Sequence, residues 1–424
     1  MARRSYTVVH DGVHGSVRLD GNFSSMLDSP EMQRMAQIHQ LGLANLVFPG
    51  ANHTRLEHMI GTYHLASRFA GALEIKGMEK DLLLTSALVH DVGHPPFSHT
   101  FEYILQQRLG INHMEQTARI IRGETSTVPG TDRNILAKGD FLPSIIERIG
   151  LDTREVAELV MNEEGVAGLP HYLTSLIHGP VDVDQLDYLM RDSHYTGVGQ
   201  GRVDADRIVE TSEIVGNSMA VERRGVSAVE GLIVSRILMN SAVYFHKTVR
   251  IAEMMLTKAV SMLDRDVFPE VFMDTDASLS GRLGEHGGYQ QEIALRLKYR
   301  KLFKTALLIS LDRMGDEERR KLASLSRKGK LFKLEDEISA GAGGEQGSVI
   351  LDAAPVEFLT GRGRKGKTEV PILDDDGKVR KLTSLSTIAR AVQKHPQQDW
   401  GLLVACDPSI RTKASRISRE IIFG

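Results

Sequence analysis

The residues 84–102, LTSALVHDVGHPPFSHTFE, limit what this chain can fold into more than any other part of the sequence. The apolar first half is typical of a buried helix, and the segment 93–96 (GHPP) ends that helix because proline has no amide hydrogen to donate. Side chains at such a break face a cleft. His90 and Asp91, at the end of this helix, are suitable metal ligands, but a catalytic metal needs more than two protein ligands.

Histidines are concentrated around this stretch. Seven of the 16 histidines lie between His53 and His113, where an even distribution would place about two. A single histidine usually has a core or surface role, but this density next to Asp91 favours a metal site. We expect His58, on the preceding helix, to be a third ligand and Asp184 to be a fourth.

Asp184 belongs to a second polar helix. In the segment 181–195 (VDVDQLDYLMRDSHY), Asp184, Tyr188 and Asp192 recur every four residues and share one helix face. Three polar residues on one face are unfavourable in a hydrophobic core, so this face is expected to line the cleft. Two alternatives stay open, because Asp184 could cap its own helix and Tyr188 could pack as an ordinary amphipathic residue.

A centre with histidine and carboxylate ligands indicates a class of chemistry. Such donors suit Mn, Mg, Fe, Ni, Co or Zn and leave positions for water and substrate. A cation of this kind polarises a phosphoryl oxygen and lowers the pKa of bound water, which favours phosphoester hydrolysis. Arg55 shares a helix face with His58 and could bind phosphate. Tyr244 and Lys247, which are also three residues apart, would share one helix face, so that Lys247 could reach phosphate while Tyr244 lines a sugar site.

Composition and charge set the general class of protein. A chain of 424 residues is too long for one ordinary core, so two or three domains are expected. The 52 basic and 55 acidic residues give a net charge of −3, so nucleic acid is at best a secondary partner. The single cysteine, Cys406, excludes an intrachain disulfide framework. With no apolar run expected to span a membrane, the chain is predicted to be cytoplasmic, without a membrane partner.

Periodicity predicts a mainly α fold with small β-hairpins and a C-terminal α+β domain. The first domain, 1–265, would contain an N-terminal hairpin over 6–20, a metal core over 53–195 and a long helix over 227–263. A second hairpin is expected near 214–225. The domain 266–424 would serve oligomerisation or regulation. Arg191 and Arg250 are weaker candidates for the site, because charges on helix surfaces explain them as well.

The motifs, taken in order, resemble a known family. His58, His90-Asp91 and Asp184 look like the H…HD…D signature of the HD-domain metal-dependent phosphohydrolases. The surrounding sequences are similar to the deoxynucleoside triphosphate (dNTP) triphosphohydrolase branch, which includes dGTPase-like enzymes and sterile-alpha-motif HD proteins. These sequences are HTRLEH at 53–58, LVHDVGHPPFSHTFE at 88–102, VDVDQLDYLMRDSHYTG at 181–197 and VYFHK at 243–247. The resemblance covers roughly residues 1–265 and implies a helical HD-domain bundle.

The resemblance implies that a dNTP is hydrolysed to deoxynucleoside and inorganic triphosphate, by attack of metal-activated water on the α-phosphorus. His94, His99 and His113 match family histidines beside the phosphates. His113 with Glu102 resembles the acid pair that helps the 5′-oxygen leave, and an imidazole held by a carboxylate has a suitable pKa for this role. For His99, the alternative is the capping of a helix.

The resemblance also implies how the substrate is held. Tyr188 would pack under the deoxyribose, and Asp192 would bind its 3′-hydroxyl. Many family members carry a basic residue directly after the last metal-binding aspartate. This chain has Gln185 at that position, and Gln185 is one of the residues expected to bind substrate. Because a phosphate-neutralising charge is lost, hydrolysis of nucleoside monophosphates or another phosphoester is an alternative, as is a non-catalytic nucleotide-sensing role. A homo-oligomer (dimer or tetramer) and an allosteric nucleotide are further expectations.

Overall fold

The computed structural model describes residues 6–101, 104, 110–128, 135–162, 165–264, 268–271, 273–327, 329–359, 368–394 and 400–424. Helices predominate in these residues, which confirms the predicted mainly α fold. The helices are α1 (Gly21–Leu27), α2 (Pro30–Met35), α3 (Arg55–Ala72), α4 (Gly77–Val89), α5 (His113–Ile121), α6 (Leu142–Arg148), α7 (Thr153–Met161), α8 (His171–His178), α9 (Val183–Thr196), α10 (Ala205–Glu210), α11 (Val226–Met239), α12 (Lys247–Ser261), α13 (Phe268–Val271), α14 (Asp276–His286), α15 (Gly288–Lys298), α16 (Asp316–Arg327), α17 (Leu331–Ala342), α18 (Val356–Leu359), α19 (Leu382–Leu385), α20 (Thr387–Lys394) and α21 (Arg411–Phe423). The strands are β1 (Tyr6–Asp11), β2 (Gly15–Asp20), β3 (Ser212–Val215), β4 (Ser218–Glu222), β5 (Lys304–Ser310), β6 (Val349–Ala353), β7 (Pro371–Leu373), β8 (Val379–Lys381) and β9 (Trp400–Cys406).

Both predicted hairpins are present. β1 and β2 pair antiparallel over their whole lengths, and β3 and β4 form the second hairpin. Val17 and Leu19, which alternate along β2, are buried, as expected for a strand with one face on the core. The N-terminal hairpin is therefore anchored in the main core of the molecule.

The 84–102 stretch begins in a buried helix that packs against another. A capping box starts α3, with the Thr54 hydroxyl accepting from the Glu57 amide and the Glu57 carboxylate accepting from the Thr54 amide. α4 is buried at every residue from Leu82 to Val89, as expected for a central helix. α3 packs against both α4 and α9. The C-terminal end of α4 therefore meets the middle of α3 and the start of α9.

The prediction of one long helix over 227–263 is wrong. A π-helical turn, Asn240–Tyr244, interrupts it between α11 and α12. The Phe245 N–H donates to the Asn240 carbonyl, five residues earlier, at 2.8 Å. Hydrophobic periodicity does not reveal this change in the hydrogen-bond pattern. Helical spacing does not continue across the turn, so Tyr244 and Lys247 do not share one helix face.

The segment Arg223–Tyr244, which contains α11, departs from the expectation that no run approaches a membrane span. It is the one helical segment in the described residues that is long and apolar enough to cross a membrane. Half of its most apolar window is buried inside the molecule, with Leu232 and Ile233 fully buried. A core helix of a globular protein has the same properties, so composition does not assign this segment to a membrane.

The C-terminal part contains the predicted α+β elements, but it is not separate from the rest. β5, β9 and β6 form an antiparallel sheet in that order, and α17 and α21 pack beside it. The chain then returns: β7 pairs parallel with β4, extending the second hairpin to the order β3-β4-β7-β8. Ile372 and Leu382 are fully buried in the same core as α3 and α4. A boundary at residue 265 therefore does not separate two independent cores.

Leu382→Ala should destabilise the molecule by about 2–4 kcal/mol, because the side chain is fully buried in the main core. Denaturant unfolding measures this change in the free energy of unfolding. Ile388→Ala on the adjacent α20 is the control, since Ile388 is 44% exposed, and it should change stability by less than about 0.5 kcal/mol. Equal losses in the two variants would contradict the packing of this segment into the main core.

Candidate metal centre and substrate cavity

The four predicted metal ligands meet in space. His58 lies on α3, His90 and Asp91 directly follow α4, and Asp184 lies in the first turn of α9. His58 Nε2 is 3.1 Å from Asp184 Oδ1 and 3.7 Å from Asp91 Oδ2. His90 Nε2 is 3.4 Å from Asp91 Oδ1 and 3.9 Å from Asp184 Oδ1. Ligands at about 2.0–2.2 Å from one cation lie roughly this far apart, so the spacing fits a single metal ion.

The hydrogen bonds of the two imidazoles also fit a metal site. His90 Nδ1 donates to the Ala87 carbonyl at 2.9 Å, and His58 Nδ1 donates to Asp187 Oδ2 at 2.7 Å. Each ring therefore presents the lone pair of Nε2 toward the other ligands. Both Nε2 atoms are buried without a hydrogen-bond partner among the described residues. A divalent cation would satisfy both nitrogens.

The alternative of Asp184 as a helix cap is not supported. The cap of α9 is Asp182, whose Oδ1 accepts from the Gln185 amide at 2.7 Å. Asp184 instead directs an oxygen toward His58 and His90, with its side chain 38% exposed.

A buried network that the sequence analysis missed supports His58. Asp187 accepts from His58 through Oδ2 and from His14 through Oδ1, at 2.7 and 2.6 Å. Arg191, four residues later, donates to both Asp187 oxygens and to Asp11 of the N-terminal hairpin. Burial would raise the pKa of Asp187, but Arg191, His14 and His58 hold it well below its usual value. The four-residue spacing of Asp187 and Arg191 could have indicated that these two side chains pair. The segment 10–12 (HDG) carried no signal that Asp11 joins them.

Gly61 makes room for this network. A Cβ at this position would overlap the Asp187 carboxylate and crowd the Arg191 guanidinium. Glycine lets α3 approach α9 closely enough for His58 to reach Asp187.

A cavity of about 420 Å³ opens beside the metal ligands. It brings together six of the predicted catalytic and substrate-binding residues with Asp91 and Asp184. These six are Arg55, His94, His113, Tyr188, Asp192 and Tyr244. Glu102 lies outside the described residues, as does the side chain of His99.

Two predicted substrate residues are not brought to this cavity. Gln185 is buried behind it, where its amide donates to Asp182 and accepts from Arg236 at 2.7 Å. Lys247 lines a different cavity, because the π-helical turn redirects the chain after Tyr244.

Arg55 joins the cavity to the metal ligands. The guanidinium donates to Asp91 through Nη1 and to Ser98 Oγ through Nε at 2.9 Å. Arg55 is 3% exposed, so its charge acts in a largely desolvated place. It can therefore orient Asp91 and still lie at the cavity wall.

His94 and His113 stack with their ring centroids 4.1 Å apart. His94 Nε2 is 3.3 Å from Asp91 Oδ1, so Asp91 connects these rings to the other three metal ligands. Burial lowers the pKa of His94, and Arg55 and His113 lower it further, which keeps the ring neutral. Asp91, His94 and His113 have the geometry of a second group of metal ligands.

A hydrogen-bonded group of polar side chains lies at the sugar-binding position that the resemblance implied. Asp192 accepts from His53 Nε2 at 2.8 Å and from the Tyr244 hydroxyl at 2.7 Å. The Tyr188 and Tyr244 rings meet edge to face, with centroids 6.0 Å apart. The group combines hydrogen-bonding atoms with two aromatic rings, as a sugar site requires.

The alternative that Arg191 and Arg250 are charges on helix surfaces is not supported. Arg191 is fully buried in the Asp187 network. Arg250 lines the cavity and is bound by Asp352 of β6 at 2.8 and 2.9 Å and by Glu253 at 2.8 Å. Each has one partner that is distant in sequence, which is Asp11 for Arg191 and Asp352 for Arg250.

Asp187→Asn should weaken metal binding by about 10–100-fold, because an amide holds the Nδ1–H of His58 less strongly and repels Arg191 through its own N–H groups. Calorimetric titration of Mn²⁺ into metal-free protein measures the affinity. Asp206→Asn is the control, since Asp206 pairs with Arg68 at the surface with its side chain 74% exposed. Affinities that agree in all three proteins would contradict a supporting role for Asp187.

Two family models match the chain. The HD domain model matches residues 55–128, which include three of the four metal ligands, and the HD associated region model matches residues 203–422. An uncharacterized protein of Methanocaldococcus jannaschii is 30% identical over 407 residues, covering 94% of this chain and 78% of its own length.

Two further comparisons support this similarity, one with a relative whose activity is stated and one with the solved structure of another protein. Deoxynucleoside triphosphate triphosphohydrolase SAMHD1 of Homo sapiens is 26% identical over 348 residues, covering 70% of this chain and 54% of SAMHD1. This chain thus spans about half the length of that enzyme. The crystal structure of a phosphohydrolase from Bacteroides thetaiotaomicron shares the fold, with a TM-score of 0.69, 21% identity and coverage of 94% and 99% of the two chains. The chain therefore belongs to the HD-domain phosphohydrolases, with an HD domain followed by an HD associated region.

Proposed function

We propose that this phosphohydrolase cleaves dNTPs to deoxynucleoside and inorganic triphosphate. The observation that carries the proposal is that Arg55, the His94–His113 pair and the Tyr188–Asp192–Tyr244 group line one cavity together with the metal ligands Asp91 and Asp184. These groups supply contacts for phosphate, for a leaving oxygen and for a sugar. The triphosphohydrolase activity stated for SAMHD1 supports this choice among phosphoesters.

The chemistry is an in-line hydrolysis. His58, His90, Asp91 and Asp184 would hold a divalent cation, of which Mn²⁺ is one candidate, and the bound cation would supply polarisation of the phosphoryl group and activation of water. The water oxygen bonds to the α-phosphorus while the bond from phosphorus to the 5′-oxygen breaks. The deoxynucleoside is the leaving group, its 5′-oxygen takes up a proton, and the three phosphates with the added water oxygen become inorganic triphosphate.

The residues of this chain then manage protons and position. The 5′-oxygen needs a proton as it leaves, and His113, which stacks on the neutral His94 ring, is the imidazole placed to supply it. Arg55 holds the α-phosphate by its guanidinium. Tyr188 packs on the deoxyribose, and Asp192 accepts a hydrogen bond from the 3′-hydroxyl while Tyr244 orients its carboxylate.

A specific observation favours a second candidate, the hydrolysis of nucleoside monophosphates. The cations lining the described part of the cavity are Arg55 and Arg250, and both already bind carboxylates. Gln185 adds no charge. A monophosphate needs less positive charge than a triphosphate.

Product identification separates the two candidates. Wild-type protein with Mn²⁺ should release triphosphate and deoxynucleoside from at least one dNTP, as followed by anion-exchange chromatography. His90→Ala and Asp91→Ala should remove both Mn²⁺ binding and turnover, since each removes a ligand. The proposal would be contradicted if the protein released pyrophosphate and monophosphate, or if it released no triphosphate from any dNTP. Phosphate release from a nucleoside monophosphate alone would establish the second candidate, and tight dNTP binding without turnover would indicate a nucleotide sensor.

The proposal extends to a homo-oligomer regulated by a nucleotide. A second cavity of about 350 Å³ is lined by Lys247, Arg300, Lys304 and Arg411, and none of the described residues lining it is acidic. Lys247 and Arg411 are the first residues of α12 and α21, where helix N-termini favour anions. These groups are suited to nucleotide phosphates.

Lys304→Ala should abolish any rate increase caused by a second, non-hydrolysed nucleotide, because it removes a charge from this cavity. Rates with and without the added nucleotide, measured together with the oligomer mass by light scattering, test this. Lys301→Ala is the matched control, since Lys301 is exposed and does not line the cavity. Full activation of the Lys304 variant would refute a regulatory site here.

A further inference from the structure

Phe97 and Ser98, which follow the two prolines of the 84–102 stretch, have left-handed backbone conformations with φ of 55° and 56°. Residues other than glycine rarely adopt this conformation, and it persists only where the surroundings hold it. Ser98 accepts a hydrogen bond from Arg55, the residue that contacts Asp91. What holds this loop therefore bears on the metal centre.

The group that holds it is the carboxylate of Asp276, the first residue of α14. Asp276 Oδ1 accepts from the Phe97 amide at 2.6 Å. Oδ2 accepts from the His39 amide at 2.9 Å and from His39 Nδ1 at 2.6 Å. Asp276 is 6% exposed, so these three donors meet it largely out of water. One carboxylate thus fixes Phe97 and His39 relative to each other.

The bonds continue from His39 to the metal ligands. Ser98 Oγ donates to the His39 carbonyl at 2.7 Å and accepts from Arg55 Nε at 2.9 Å. Arg55 Nη1 donates to Asp91. A continuous path of hydrogen bonds therefore joins Asp276 to the Asp91 carboxylate through His39, Ser98 and Arg55.

The segment just before α14 also holds the other end of the loop. Arg34 Nη1 donates to the His94 carbonyl at 2.9 Å. The same guanidinium donates to the Asp274 carbonyl through Nη2 at 2.9 Å and through Nε at 3.2 Å. Residues 273–276 thus brace His94 at one end of the loop and Phe97 at the other.

We propose that Asp276 is a positioning residue for the phosphohydrolase reaction, which sets Arg55 and Asp91 through the Phe97–Ser98 loop. The inference rests on the metal centre and cavity of the proposed function, and it holds whichever phosphoester is cleaved. Asp276 contacts none of the four metal ligands and does not itself line the described part of the cavity. It acts through Phe97, His39 and Ser98.

Asp276→Asn tests this role, because an asparagine keeps one acceptor oxygen and cannot accept from all three donors. Asp274→Asn is a closely matched control: Asp274 lies two residues earlier, is 7% exposed, and its carboxylate bonds Ser278 and Arg282 rather than the loop. We expect kcat/KM to fall about 10-fold in Asp276→Asn and less than about 2-fold in Asp274→Asn, since small misplacements of catalytic groups are costly.

A double-mutant cycle separates positioning from general destabilisation. Because Asp276 acts through Ser98, Asp276→Asn combined with Ser98→Ala should lose no more activity than the worse single variant. The Asp274 change should combine additively with Ser98→Ala. Hydrogen exchange gives a readout without activity: the Phe97 amide should exchange faster in Asp276→Asn than in Asp274→Asn.

Three results would overturn the inference: equal activity losses in the two asparagine variants, additivity with Ser98→Ala, or unchanged exchange at Phe97. Each variant is assayed with dNTPs and with bis(4-nitrophenyl) phosphate, a chromogenic phosphodiester. If wild type cleaves only the phosphodiester, the proposed function fails and the same comparisons on that substrate still decide the role of Asp276. If wild type cleaves neither, exchange at Phe97 decides it.

Discussion

The metal centre depends on the hydrogen bond from His58 to the buried carboxylate of Asp187. It turns the ring of His58 so that Nε2 faces Asp184. A fully buried carboxylate is costly unless it is compensated, and Arg191 and His14 provide that compensation. Arg191 is in turn compensated by the N-terminal hairpin through Asp11. The N-terminal hairpin therefore shares in setting a metal ligand.

The C-terminal half supports the site as directly as the HD domain does. Arg250, at the cavity wall, is bound by Asp352 of β6. Asp276 of α14 holds the backbone of the Phe97–Ser98 loop. These contacts reach the cavity from residues far along the chain, so the HD associated region is part of the framework of the site. A description of the site from the HD domain alone would leave these supports out.

The features predictable from sequence were local ones. Adjacency placed His90 and Asp91 together at a helix end, and helical spacing placed Tyr188 and Asp192 beside Asp184. Helical spacing failed at Lys247, because a π-helical turn leaves no mark in hydrophobic periodicity. The burial of Arg191 and Arg250 was missed because their partners Asp11 and Asp352 are distant in sequence. The side chain of Gln185 does not reach the substrate cavity because Asp182 and Arg236 bind its amide.

The parallel pairing of β4 with β7 also bears on how the molecule is made. Val221 and Ile372 are neighbours in the sheet but about 150 residues apart along the chain. A ribosome therefore releases every metal ligand long before it releases the strand that completes the main core. Contacts of such long range form late and slow the folding of a domain. The metal centre is thus assembled around a core that the last fifth of the chain has to close.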